Sequence, residues 1–206
     1  MTASSRPRRK AAESEKTILR VATDKFTEKG FDGASIREIA NQAGVTVPTI
    51  YLYFEDKRAL YLAVCVSVFK RSLALILEQL HADAPPEIRI YRFLVELARE
   101  LLEDPHLAKL FQRELADADR DGLALLDREA HRISLGAVED TIRELGEVDV
   151  VPLAALSTFA LSFGLVQYTQ VTPELDFPGE GSKPERLAQV VMRTVLPDTY
   201  SKLFSG

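Results

Sequence analysis

The chain has 206 residues, 46% of them hydrophobic, and a formal net charge of −5, which excludes a disordered chain and provides for one large domain or a small one joined to a larger one. A single cysteine, Cys65, excludes an intramolecular disulfide framework and suits a reducing cytoplasm. Residues 1–60 carry 11 Lys/Arg against 8 Asp/Glu and residues 61–206 carry 15 against 23, so a basic end sits on an acidic body, as local phosphate binding needs and as chance also allows.

Arg6, Arg8, Arg9 and Lys10 are followed by no apolar run, so residues 1–12 read as a basic disordered arm rather than a secretory signal. From Glu13 to Lys29, Ile18, Ala22 and Phe26 recur at helical spacing, and Gly30 is placed to end that helix. Ser35 is positioned as N-cap of a short helix to about Ala43, with its Oγ accepting a free N–H. Gly44 breaks the chain. Thr46 then caps a third helix, about Val47 to Tyr53, whose first turn tolerates Pro48. A long helix runs from near Asp56 to about His81, stopped by Ala84-Pro85-Pro86, and another covers Glu87 to Glu103. Asp104-Pro105 starts a shorter helix to Leu115, the polar run 116–122 is a loop, and a long helix follows to about Leu145. A further helix spans about Val151 to Val171, a Pro/Gly-rich loop covers Thr172–Pro184, and a last helix ends at about Leu196, before Pro197. No strand or repeat is evident, and the fold class is all-α.

The segment IREIANQAGVTVPTIYLY (36–53) places the small Ala40, then Gly44, then the branched Ile50 at the spacing of a helix-turn-helix, with Ile36, Ile39, Val45 and Phe54 closing the corner. An ordinary helix corner can share that spacing. The second helix, however, offers Thr46, Thr49, Tyr51 and Tyr53, with Lys57 just beyond, as hydroxyls and a cation for base and phosphate contact. Arg37 carries the two N–H groups that match guanine O6 and N7. Val47 and Pro48 are apolar at the leading edge, where a thymine methyl is the natural partner. Tyr53 suits core packing as well as DNA contact.

Residues about 15–62, above all VTVPTIYLYFEDKRAL (45–60), resemble the DNA-binding domain of the TetR family of repressors, and the preceding GFDGASIREIANQAGV (30–45) fits without a gap. The resemblance implies a DNA-binding domain over 13–56 with an N-terminal three-helix helix-turn-helix, and a helical ligand-binding and dimerisation domain over 57–206. It implies double-stranded DNA as partner, a homodimer through the last two helices, and a small-molecule effector. Ser35, Arg37, Thr46, Val47, Pro48, Thr49, Tyr51, Tyr53 and Lys57 occupy positions that touch DNA in relatives. Val47 and Leu52 depart from the polar residues common at their positions, which shifts base readout toward Arg37 or DNA shape.

In the body, Val150–Pro173 is 24 residues without a charge. Its seven Ser, Thr and Gln residues and the lack of flanking Lys/Arg oppose a membrane span. A helix apolar all round is buried on more than one side, here by the body's core and by a partner facing Ala154, Ala155, Ala160 and Gly164. Tyr91, Phe111, Gln112, His131, Phe159, Phe163 and Gln167 are candidates to line a largely apolar effector pocket, although a stripe such as 159, 163 and 167 is also an ordinary core face. His81, His106 and His131 lack metal-ligand spacing, Cys65 reads as a buried thiol, and no phosphate loop or nucleophile elbow is present. The chain therefore reads as a non-enzymatic regulator without cofactor or metal. An activator, a corepressor-dependent regulator, and a helical protein that uses its corner for protein contacts are the competing readings.

Overall fold

The computed structural model describes residues 5–104, 106–110, 113, 124 and 127–204. All regular structure among them is helical: α1 (Ser5–Gly33), α2 (Ile36–Ala43), α3 (Val47–Tyr53), α4 (Lys57–Glu78) with a 3-10 turn (Gln79–His81), α5 (Pro86–Glu103), a helical run over 106–110, a π turn (Asp127–His131), α6 (Arg132–Leu145), α7 (Val151–Val171), α8 (Lys183–Val195) and α9 (Pro197–Phe204). The described residues form two compact units, one of residues 5–69 with 109, 110, 113 and 124, the other of 70–108 and 127–204. The division between these units falls inside α4, whose first half supplies Leu60, Tyr61 and Val64 to the first unit's core.

In the first unit, Ile18, Val21, Ala22 and Phe26 of α1 are fully buried, as their spacing requires. α1 starts at Ser5, inside the stretch read from sequence as a disordered arm; Pro7 lies in its first turn, where no N–H partner is lost, and Ala11 to Lys16 are mostly good helix formers. The helix is broken at Gly30, whose φ of 76° and ψ of 179° are open only to glycine, and one more turn carries it to Gly33. Phe26, Phe31 and Tyr61 form an aromatic cluster, with Tyr61 edge-on to both rings at 5.0 and 5.4 Å. Arg113 donates from Nη1 to the Phe26 carbonyl at 2.8 Å.

In the second unit α5 is the central helix. Its apolar face (Ile90, Phe93, Leu94, Leu97, Ala98, Leu101) is buried against α6, α7 and α8. Pro86 stands at its first position, so the double proline that stops one helix starts the next. Asp104 accepts from the His106 and Leu107 N–H groups and so caps the following run.

The helix ending at Leu196 is not the last. Pro197 opens α9 instead of ending the chain's helical part, because the Glu147 carboxylate accepts the Asp198 N–H at 2.7 Å and the Thr199 N–H at 2.9 Å. α7 is buried on one side only. Ala154 and Ala155 face the unit's own core, contrary to their assignment to a partner face, while Leu153, Leu156, Ala160, Gly164, Tyr168 and Val171 form one exposed stripe. Two helices, Lys57–His81 and Val151–Thr169, are long and apolar enough to cross a membrane.

Replacing Gly30 by alanine forces a side chain into a conformation that costs about 1–3 kcal/mol, and the new Cβ would lie 2.6 Å from Arg113 Nη1. Urea unfolding followed by circular dichroism is expected to show a loss in that range. An unchanged midpoint would mean that the backbone at residue 30 relaxes freely.

Candidate nucleic-acid interface

The site is built on the corner between α2 and α3. α2 buries Ile39 and Ala40, and α3 buries Ile50 completely. Gly44 caps α2 at φ 69° and ψ 29°, returning its N–H to Asn41, while the Val45 N–H reaches the Ala40 carbonyl at 3.0 Å. A Cβ at residue 44 would meet nothing within 4 Å. Glycine is therefore required there by dihedral angle and not by space.

Thr46 caps α3 as its sequence position suggests: its Oγ1 accepts the Thr49 N–H at 3.3 Å and lies 2.8 Å from the Thr49 hydroxyl. Ser35 occupies the N-cap of α2 in extended conformation, but its side chain makes no cap hydrogen bond. The helix start is left to the Ser35 carbonyl, which accepts from Ile39, and the hydroxyl is not consumed by the fold.

Around α3, Thr46, Pro48, Tyr51 and Leu52 are exposed, while Val47, Thr49 and Tyr53 are half-buried. Tyr53 lies beside the buried Phe54 with ring centroids 6.4 Å apart, so it serves packing as well as surface. Arg37 is exposed on α2 and has no ion pair among the described residues. Its neighbour Glu38 is held by Lys29 at 2.9 Å, and that hydrogen bond lowers the Glu38 carboxyl and raises the Lys29 ammonium relative to their ordinary values. Lys57, the first residue of α4, donates to the Asp32 carbonyl at 3.3 Å and lies over the Phe31 ring at 4.8 Å. Ser35, Arg37, Thr46, Val47, Pro48, Thr49, Tyr51, Tyr53 and Lys57 thus all belong to the first unit, on α2, α3 and the segments flanking them. Leu52, an apolar departure at a position where polar residues are common, is 83% exposed.

The effector candidates belong to the second unit and fall into two groups. Phe159 is buried, edge-on to Phe93 at 5.7 Å and beside His131 at 6.0 Å. Tyr91 instead meets Phe204 at 5.2 Å, and burial pushes its phenol above its ordinary value against the opposing effect of a hydrogen bond with Gln189. Residues 91 and 93 point about 200° apart on one helix, so Tyr91 faces the C-terminal helices and Phe93 faces α7. Phe163 and Gln167 are half-buried, and Phe111 and Gln112 lie outside the described residues. A groove of about 520 Å³ runs between α7 and α8, lined by Leu153, Ser157, Leu161 and Thr194 among others, and includes none of the effector candidates.

Residues 18–64 match the family of bacterial regulatory proteins named tetR. The chain is 34% identical over 108 residues to the HTH-type transcriptional regulator RutR of Escherichia coli K12, covering 52% of this chain and 50% of that protein. It is 31% identical over 96 residues to the HTH-type transcriptional repressor BepR of Brucella suis, covering 47% and 46%. The chain spans about half the length of these curated relatives. The fold is that of the transcriptional regulator FadR of Bacillus subtilis, solved in complex with stearoyl-CoA, with a TM-score of 0.73 at 20% identity over 87% of this chain and 96% of that one. Residues 18–64 are thus similar to the tetR family of bacterial regulatory proteins, and the whole chain shares the fold of solved regulators.

Thr46→Ala removes the acceptor for the Thr49 N–H and is expected to cost about 1 kcal/mol of stability, read as a lower thermal midpoint. Ser35→Ala, which removes no such bond, is expected to leave the midpoint unchanged. Equal losses for the two would refute this division of roles.

Proposed function

We propose that the chain is a dimeric repressor that binds a palindromic operator through α2 and α3 and is released by a small, largely hydrophobic effector. The observation that carries this reading is the α2–Gly44–α3 corner, which buries Ile50 and leaves Thr46, Pro48, Thr49 and Tyr51 on an outer surface beside an exposed Arg37. Hydroxyls and a guanidinium on the leading part of a short helix are what base edges and phosphates in a major groove require. Lys57 is held in place before DNA arrives, so a phosphate contact there loses little side-chain freedom. The repressor role is supported by the name of BepR, and an apolar effector by the acyl-CoA bound to FadR. The aromatic neighbourhood of Phe93, His131 and Phe159 is where such an effector would act.

One recognition helix discriminates poorly, and a two-fold dimer doubles the sequence read. The exposed stripe of α7 supports dimerisation through α7 and α8: Leu153 is 59% and Val171 80% exposed, with Ala160 and Gly164 between them allowing close helix approach. The effector would act by preferring the state that does not bind DNA, and couplings of about 1–3 kcal/mol change operator affinity by about 5–150-fold.

Operator selection followed by fluorescence anisotropy tests the reading. Specific binding should weaken steeply with salt through counterion release. Lys57→Ala should weaken all sequences alike and reduce the salt slope by about one, while Arg37→Ala should relax preference at one base by about 1–3 kcal/mol. Binding indifferent to sequence would sink the reading, and an effector that tightens the complex would make the protein a corepressor-dependent regulator.

Sedimentation velocity tests the assembly. The native chain should run as a dimer at micromolar concentration and Leu153→Glu as a folded monomer with weakened operator binding. A native monomer would refute the proposed interface.

A further inference from the structure

The outermost ridge of α3 is apolar. Ile50 fixes the inward direction of this helix because it has no exposure at all. Two residues on, about 200° around a helix of 3.6 residues per turn, Leu52 points the opposite way and is 83% exposed, the highest value among the exposed large hydrophobic residues described. Pro48, two residues before Ile50, shares that ridge with Leu52 at the i, i+4 spacing and is also exposed. Thr49 and Tyr51 flank the ridge and carry its hydroxyls.

When a helix lies in a major groove, the ridge opposite its buried side meets the base edges. The side chains of Pro48 and Leu52 have no hydrogen-bond donor or acceptor, so they cannot read the polar pattern of those edges. Among the four bases the groove offers one apolar mark, the C5 methyl of thymine. Leu52 has no role in the core that would explain an apolar residue there, since most of its side chain is in contact with solvent. We propose that Leu52, together with Pro48, is a specificity-determining contact that reads a thymine methyl in each half-site. The proposal rests on the DNA-binding reading above and names a base for it.

This contact differs physically from that of Lys57. It transfers apolar surface from water and involves no charge, so its contribution should be independent of salt, whereas a phosphate contact fades as salt rises. It also carries sequence information.

The test uses the full chain and the selected operator. Each thymine under α3 is replaced in turn by deoxyuridine, which removes the methyl and leaves every hydrogen-bonding edge intact. The native protein should lose about fourfold in affinity per half-site at one thymine step, the size expected for one buried carbon group, and the same factor should be found at two salt concentrations. Leu52→Ala should bind the thymine and deoxyuridine operators equally, with an unchanged thermal midpoint because the residue is exposed. An operator without thymine under α3, a native protein indifferent to deoxyuridine, or a Leu52→Ala protein that keeps the full fourfold loss would each overturn the assignment while leaving DNA binding intact. If no operator is selected at all, the DNA-binding reading fails and this assignment with it.

Discussion

The complete burial of Ile50 is the constraint on which the surface of α3 depends. α3 has seven residues, far too few to hold a helix by propensity alone, so both its existence and its orientation come from packing. With Ile50 turned fully inward and the turn set by Gly44 in the left-handed region, the direction of every other side chain on α3 follows from helical geometry. The surface proposed to meet DNA is thus fixed by a residue that is itself fully buried. The Thr46 cap and the Pro48 ring stiffen the end that would enter the groove first.

A second layer of packing holds this corner. The rings of Phe26, Phe31 and Tyr61 join α1 to the start of α4, and Lys57 lies over Phe31 while donating to the Asp32 carbonyl. A lysine is ordinarily among the most mobile side chains at a surface. Here the aromatic cluster that stabilises the unit also restrains the cation, so one set of interactions serves both stability and the placement of charge.

These packing demands explain which parts of the molecule were legible from the sequence. The bounds of α2 and α3 could be read residue by residue because Ala40, Gly44, Thr46 and Ile50 each answer a separate steric or hydrogen-bonding requirement. Elsewhere the signals were ambiguous. Pro197 can end a helix or begin one, and the choice fell to Glu147, some fifty residues away in sequence. Ala154 and Ala155 are small enough for either face of α7, and the unit's own core claimed them. Ser35 has the right position and backbone for a capping side chain, yet local geometry leaves its hydroxyl unused. The effector candidates were the least legible: Tyr91 and Phe93 are both aromatic residues of one apolar helix, and only the tertiary partners Phe204 and Phe159 separate them.

The connectivity bears on how the proposed effector response would be carried. The chain passes between the two units inside α4, again between Ala108 and Lys109, and once more before Asp127. α4 is therefore not the sole covalent route. The middle segment brings Arg113 to the Phe26 carbonyl in the last turns of α1, against a glycine whose backbone no other residue adopts without strain. α1 in turn packs directly on α2. In the proposed function, coupling would require only that an effector prefer one of two packings, so the chemistry of that effector could differ widely while the corner around Ile50 stays the same.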